Sequence, residues 1–197
     1  QALYPQDRYP QAKVSNKTVL GAVTILMLIP IFITLICDLG IHGKITWSGF
    51  VVGGILLCYI GGVLPQWFRN PNPVVFVPCG FAAVGLYVLY IDLALHGGWF
   101  LSFAFPVVGF LGILVTAVVV LTRYTRRGEL YIFGGALIAL GAFLPLMEYL
   151  MVLTFKMPRF VGWSLYPLVA LVLMGGTLIF LAICRPAREA VQRKTFL

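Results

Sequence analysis

The sequence predicts an all-α integral membrane protein: six transmembrane helices forming three two-helix repeats in a pseudo-threefold arrangement, with both termini inside. Three observations predict it. Hydrophobic residues make up 61% of the chain and charged residues 10%, with a mean hydropathy of +1.00, whereas globular proteins carry about 25% charged residues. Six apolar segments are long enough for a hydrocarbon core of about 30 Å, which takes about 20 residues of helix. And three times an apolar run ends in a carboxylate shortly before a tryptophan opens the next: Asp38 then Trp47, Asp92 then Trp99, Glu148 then Trp163.

The six spans fall near residues 18–39, 47–67, 74–95, 99–122, 130–154 and 162–184. Residues 1–17 read as a Pro-containing cytoplasmic linker, 18–184 as the membrane domain, and 185–197 as a basic cytoplasmic tail that lies as a short helix on the inner leaflet. No span reads as a signal peptide, because the first apolar run is too long and lacks a small-residue cleavage motif. The chain opens on Gln1, so further residues are expected upstream.

Orientation follows from the basic residues, which are retained on the cytoplasmic side of span ends. One side carries Arg8, Lys13, Lys17, Arg69, Arg123, Arg126, Arg127, Arg185, Arg188, Arg193 and Lys194, and the other carries Lys44, Lys156 and Arg159. The net charge of +8 is then a matter of topology and of attraction to anionic headgroups, and no nucleic-acid partner is expected. Cys37, Cys58, Cys79 and Cys184 sit in or beside spans without a CxxC spacing, which points to small lipid-buried or packing residues.

The repeats agree in register. Val74 to Asp92 and Leu130 to Glu148 both cover about 18 residues, roughly 27 Å of helix, and Thr18 to Asp38 covers roughly 30 Å. All three carboxylates thus reach the outer edge of the hydrocarbon. Local strings also match, Ile36-Cys37-Asp38-Leu39-Gly40-Ile41-His42 against Tyr90-Ile91-Asp92-Leu93-Ala94-Leu95-His96, with Trp47-Ser48 repeated as Trp163-Ser164. A fixed internal period of this kind marks a repeated supersecondary unit.

Through Tyr4-Pro5, Ile36-Cys37-Asp38-Leu39, Ile45-Thr46-Trp47-Ser48 and Trp163-Ser164-Leu165-Tyr166-Pro167, nearly the whole chain resembles a family of bacterial membrane proteins of unknown function. Those proteins carry a short zinc ribbon before a six-helix domain. This sequence has no ribbon, and Tyr4-Pro5-Gln6 with Tyr9-Pro10-Gln11 would be the linker that follows one. The resemblance implies the fold, a bacterial cytoplasmic membrane, and a missing N-terminal head or cytoplasmic partner. It implies no activity.

Asp38 with His42 and Asp92 with His96 are i,i+4 pairs, so each carboxylate is expected to share a helix face with its imidazole. With Glu148 these five residues form the candidate metal set, since imidazole and carboxylate donors suit Zn²⁺ or Mn²⁺. The wider candidate set for a ligand or cation adds Trp47, Trp99 and Trp163. The competing reading is structural. A carboxylate at a helix C-terminus is disfavoured by about 0.3–1 kcal/mol, and the start of the next helix offers backbone N–H groups, an indole N–H and Ser or Thr hydroxyls to offset that.

Pro30, Pro78, Pro106, Pro145 and Pro167 lie inside the predicted spans, where each removes a backbone donor and can kink the helix. Gly53-Gly54, Gly61-Gly62, Gly134-Gly135 and Gly175-Gly176 are positions for close helix approach. No HExxH, no glycine-elbow serine and no carboxylate pair deep in a span is present, so an enzyme is not the leading expectation. The expected function is a sensor, scaffold or accessory subunit with an outer ligand bowl. The alternatives are a small-solute binding or transport protein and, using the five-residue metal set, an outer-face metal-dependent hydrolase.

Overall fold

In a computed structural model, residues 15–68, 71–125, 128–157 and 162–184 are described. Most of the linker, all of the basic tail, and Arg69, Arg126, Arg127 and Arg159 lie outside them. Every element of regular structure among the described residues is helical. Six helices are long and apolar enough to cross a membrane, as a multi-pass membrane protein requires: α1 Asn16–His42, α2 Ser48–Trp67, α3 Pro73–Leu95, α4 Phe100–Tyr124, α5 Glu129–Phe155 and α6 Leu165–Ile183. They divide into two compact units, Gln1–Pro71 and Asn72–Leu197.

Burial runs opposite to that of a water-soluble protein. Large apolar side chains such as Ile25, Leu26 and Phe32 of α1 and Leu173 and Phe180 of α6 face outward, as they must where the surrounding solvent is hydrocarbon. The largest fully buried side chains are instead polar: Glu148, Asp38, Ser48 and Ser164.

In the first unit α1 packs against α2. Midway along α2 the backbone widens into a π-helical segment, Tyr59–Val63, and Pro65 follows directly after Leu64. Proline cannot donate to the carbonyl four residues earlier and its ring collides with it, so a wider turn before the proline relieves the clash. The same device opens α4, where a π segment Phe100–Ala104 precedes Phe105-Pro106. Pro106 thus stands at the head of regular helix and Pro167 in the first turn of α6. Neither interrupts mid-span hydrogen bonding, as the sequence alone had suggested. Pro30, Pro78 and Pro145 do lie inside their helices.

In the second unit consecutive helices pack side by side, α3 on α4, α4 on α5 and, most intimately, α5 on α6. Phe110 of α4 stacks on Phe143 of α5 with ring centroids 3.9 Å apart. Glycine sets the α5–α6 distance. A methyl group on Gly134 would sit 2.8 Å from the Gly175 carbonyl oxygen, and one on Gly175 would sit 2.6 Å from the Gly134 carbonyl oxygen. Their neighbours Gly135 and Gly176 face open space, so one glycine of each pair brings the backbones together.

Candidate functional site

Each candidate carboxylate stands near the C-terminal end of an odd-numbered helix, about one turn before the end of α1 and α3 and about two turns before the end of α5. α1 stops at Gly43, in the left-handed region (φ 66°), whose N–H bonds the Leu39 carbonyl. A short turn then brings Thr46, Trp47 and Ser48 back over Asp38. Asp38 is fully buried. Its Oδ2 accepts from the Thr46 N–H at 2.6 Å, the Ser48 N–H at 3.0 Å and the Ser48 hydroxyl at 2.6 Å. Oδ1 accepts from the Thr46 hydroxyl at 2.5 Å and lies 3.0 Å from His42 Nδ1, which donates when it carries the proton. The unpaired donors of the α2 N-terminus thereby satisfy a charge that the α1 C-terminus disfavours.

Glu148 repeats this arrangement at the end of α5. It is 2% exposed; Oε1 accepts from the Gly162 N–H at 2.7 Å, and Oε2 from the Ser164 N–H at 3.2 Å and the Ser164 hydroxyl at 2.5 Å. Trp163 is skipped just as Trp47 is: the residues on either side of the tryptophan donate. The loop is longer, and the extra methylene of glutamate extends the carboxylate toward it. α5 closes on Lys156, a non-glycine residue in the left-handed region (φ 51°).

Asp92 differs. It is 6% exposed, and Oδ1 accepts one hydrogen bond, from the Trp99 N–H at 2.9 Å. The residue after this tryptophan is Phe100, where the other two turns have serine, so no hydroxyl is supplied. Among the described residues Oδ2 has no hydrogen-bond partner. α3 ends at Leu95, and His96 turns into the left-handed region (φ 53°) while the Gly97 N–H bonds the Asp92 carbonyl. That geometry takes His96 off the helix face, and its exposed imidazole has no partner among the described residues. Gly97 is required where it stands, since a methyl there would lie 2.9 Å from Asp92 Oδ1 and collide with the Trp99 indole.

The structure therefore joins Asp38 to His42 but not Asp92 to His96. Among the described residues no three His, Cys, Asp or Glu side chains form a group able to hold a metal ion. Trp47, Trp99 and Trp163 sit at the three turns as expected, but backbone N–H groups, serine and threonine do the donating, and among the described residues no indole N–H reaches a carboxylate. The backbone N–H groups and Ser or Thr hydroxyls expected at the start of the next helix are those of Thr46 and Ser48 for Asp38 and of Gly162 and Ser164 for Glu148.

A second feature was not legible in the sequence. A groove of about 950 Å³ runs between α3 and α4, lined by residues including Phe81, Gly85, Leu89, Val108 and Gly112. Thr116 is the one polar side chain along it, and its buried hydroxyl has no hydrogen-bond partner.

No curated protein and no solved structure matches the chain. Residues 4–196 match the profile of a family of unknown function, DUF6320, and the chain belongs to that family.

Proposed function

We propose that the protein is a non-enzymatic polytopic membrane protein, a scaffold or accessory subunit, built as three repeated hairpins: α1–α2, α3–α4 and α5–α6. The observation that carries this reading is the saturation of Asp38 and Glu148 by donors from the helix that follows each. A carboxylate with its lone pairs committed to buried N–H and O–H groups is a poor general base and a poor metal ligand. It is a good latch between two helices. Both termini then belong on the cytoplasmic side of a bacterial membrane, because 11 of the 14 Lys and Arg residues flank the helix ends opposite the three latches.

Two measurements test the proposal. Thiol labelling of Lys44→Cys and Thr125→Cys, in a background lacking the native cysteines, should modify position 44 in intact cells and position 125 only after permeabilisation. The reverse pattern would invert the topology. Elemental analysis of detergent-purified protein beside a His42→Ala/His96→Ala variant addresses chemistry. Near-stoichiometric zinc or manganese that disappears in the variant would replace the latch reading with the metal site and the hydrolase. A second reading, binding of a small apolar solute, is favoured by the groove between α3 and α4.

A further inference from the structure

We propose that the α3–α4 hairpin holds an aminophospholipid, with the primary ammonium of its headgroup on Asp92 and an acyl chain in the groove. This goes beyond the scaffold reading and stands or falls separately from it. The three turns differ in how they satisfy their carboxylates. Asp92 is buried, though less fully than the two latch carboxylates, and receives one hydrogen bond. Burying a charge is costly unless it is paired and hydrogen-bonded, and with Phe100 in place of serine the chain leaves the second oxygen for something else.

That partner is a cation with hydrogens to donate. Asp92 lies at the C-terminal end of α3, where the helix dipole also favours positive charge. The Trp99 indole N–H has no partner among the described residues, and it meets Asp92 around Gly97, where an added methyl would touch both. An acceptor and a donor side by side match a headgroup that carries an ammonium and, a few bonds away, a phosphate. A divalent metal would need further protein ligands, which the described residues do not gather here.

The apolar half of the ligand is indicated by the groove. Leu89, one helical turn before Asp92, and Phe100, directly after Trp99, both line it, so one of its ends adjoins the polar pair. From Phe105 to Leu121, both lining residues, α4 advances roughly 24 Å at 1.5 Å per residue, close to the depth of the bilayer core of about 30 Å. A soluble amine would fill Asp92 and leave this groove unused. A choline headgroup has no N–H to donate to the carboxylate.

Native mass spectrometry of the full chain in detergent, titrated with phosphatidylethanolamine, phosphatidylcholine and phosphatidylglycerol of identical acyl chains, is the test. Wild type should form the phosphatidylethanolamine adduct at about one-tenth of the concentration needed for the other two. Asp92→Asn should erase that preference. Gly109→Leu should weaken all three adducts, because Gly109 lines the groove and its backbone can carry a Cβ without a clash, so the added leucine fills groove space. Trp99→Phe keeps the backbone bond to Asp92 and removes the indole N–H; it should lower phosphatidylethanolamine binding several-fold even if Asp92→Asn does not fold. Equal binding of the three lipids by wild type overturns the proposal, as does an Asp92→Asn variant that retains the preference. Competition by ethanolamine alone at the same concentration as the lipid would assign the site to a free amine and overturn the lipid.

Discussion

Removing the Glu148 carboxylate should unlatch α5 from α6. Glu148→Gln preserves shape but replaces one acceptor oxygen by an NH₂ group, while three donors among the described residues still point inward: the Gly162 N–H, the Ser164 N–H and the Ser164 hydroxyl. In the better amide orientation the remaining oxygen keeps both Ser164 bonds and the NH₂ faces the Gly162 N–H. At least one charge-assisted bond is lost, worth about 1.5–3 kcal/mol. Glu148→Ala strands these donors, and each one left buried without an acceptor costs about 1–3 kcal/mol. Unfolding in mixed micelles of mild and denaturing detergent measures both variants, with Tyr166→Phe at an outward-facing position as the control, expected within about 0.5 kcal/mol of wild type. A Glu148→Ala protein as stable as the control would refute the latch.

Other predictions rest on separate features. Gly134→Ala and Gly175→Ala should each lose about 1–3 kcal/mol from overpacking, since the added carbon meets the opposing backbone at under 3 Å, while Gly135→Ala and Gly176→Ala should be neutral or mildly stabilising; micelle unfolding of the four variants gives the comparison. Lys156→Gly should stabilise by less than about 1 kcal/mol, as it relieves a left-handed conformation in a residue with a Cβ, and a loss of stability would contradict that cap geometry. Gly97→Ala should impair folding more than Gly98→Ala, because a Cβ on Gly97 collides with the Trp99 ring and Asp92 while one on Gly98 meets nothing within 4 Å and bears only the strain of its positive φ; similar yields and melting profiles for Gly97→Ala and wild type would argue against the pinch.

The spans were legible because hydrocarbon demands length and apolarity without interruption, and both can be read residue by residue. Thr18–Leu39 became Asn16–His42 and Val74–Leu95 became Pro73–Leu95, differences of a few residues at helix ends that frayed hydrogen bonding sets. The carboxylates were also legible, since an acid in such a composition stands out. Their partners were less so. Whether Asp92 would meet His96 depended on the conformation of the residue after Leu95, and the left-handed turn at His96 moves the imidazole off the face. The π segments and the groove between α3 and α4 depend on how proline and small residues are accommodated in three dimensions, and nothing in the hydropathy pattern encodes that.

The buried acids also act as rulers. Between lipid-immersed helices, apolar contact barely distinguishes one axial alignment from the next, because a Leu surface slid along its neighbour still finds hydrocarbon or another side chain. Sliding α5 against α6 by one helical turn, about 5.4 Å, would take Glu148 out of reach of Gly162 and Ser164 altogether. The same holds for Asp38 with Thr46 and Ser48. Each hairpin can therefore select its own alignment as soon as its two helices and their short connection are in the bilayer, before any other helix is present to guide it.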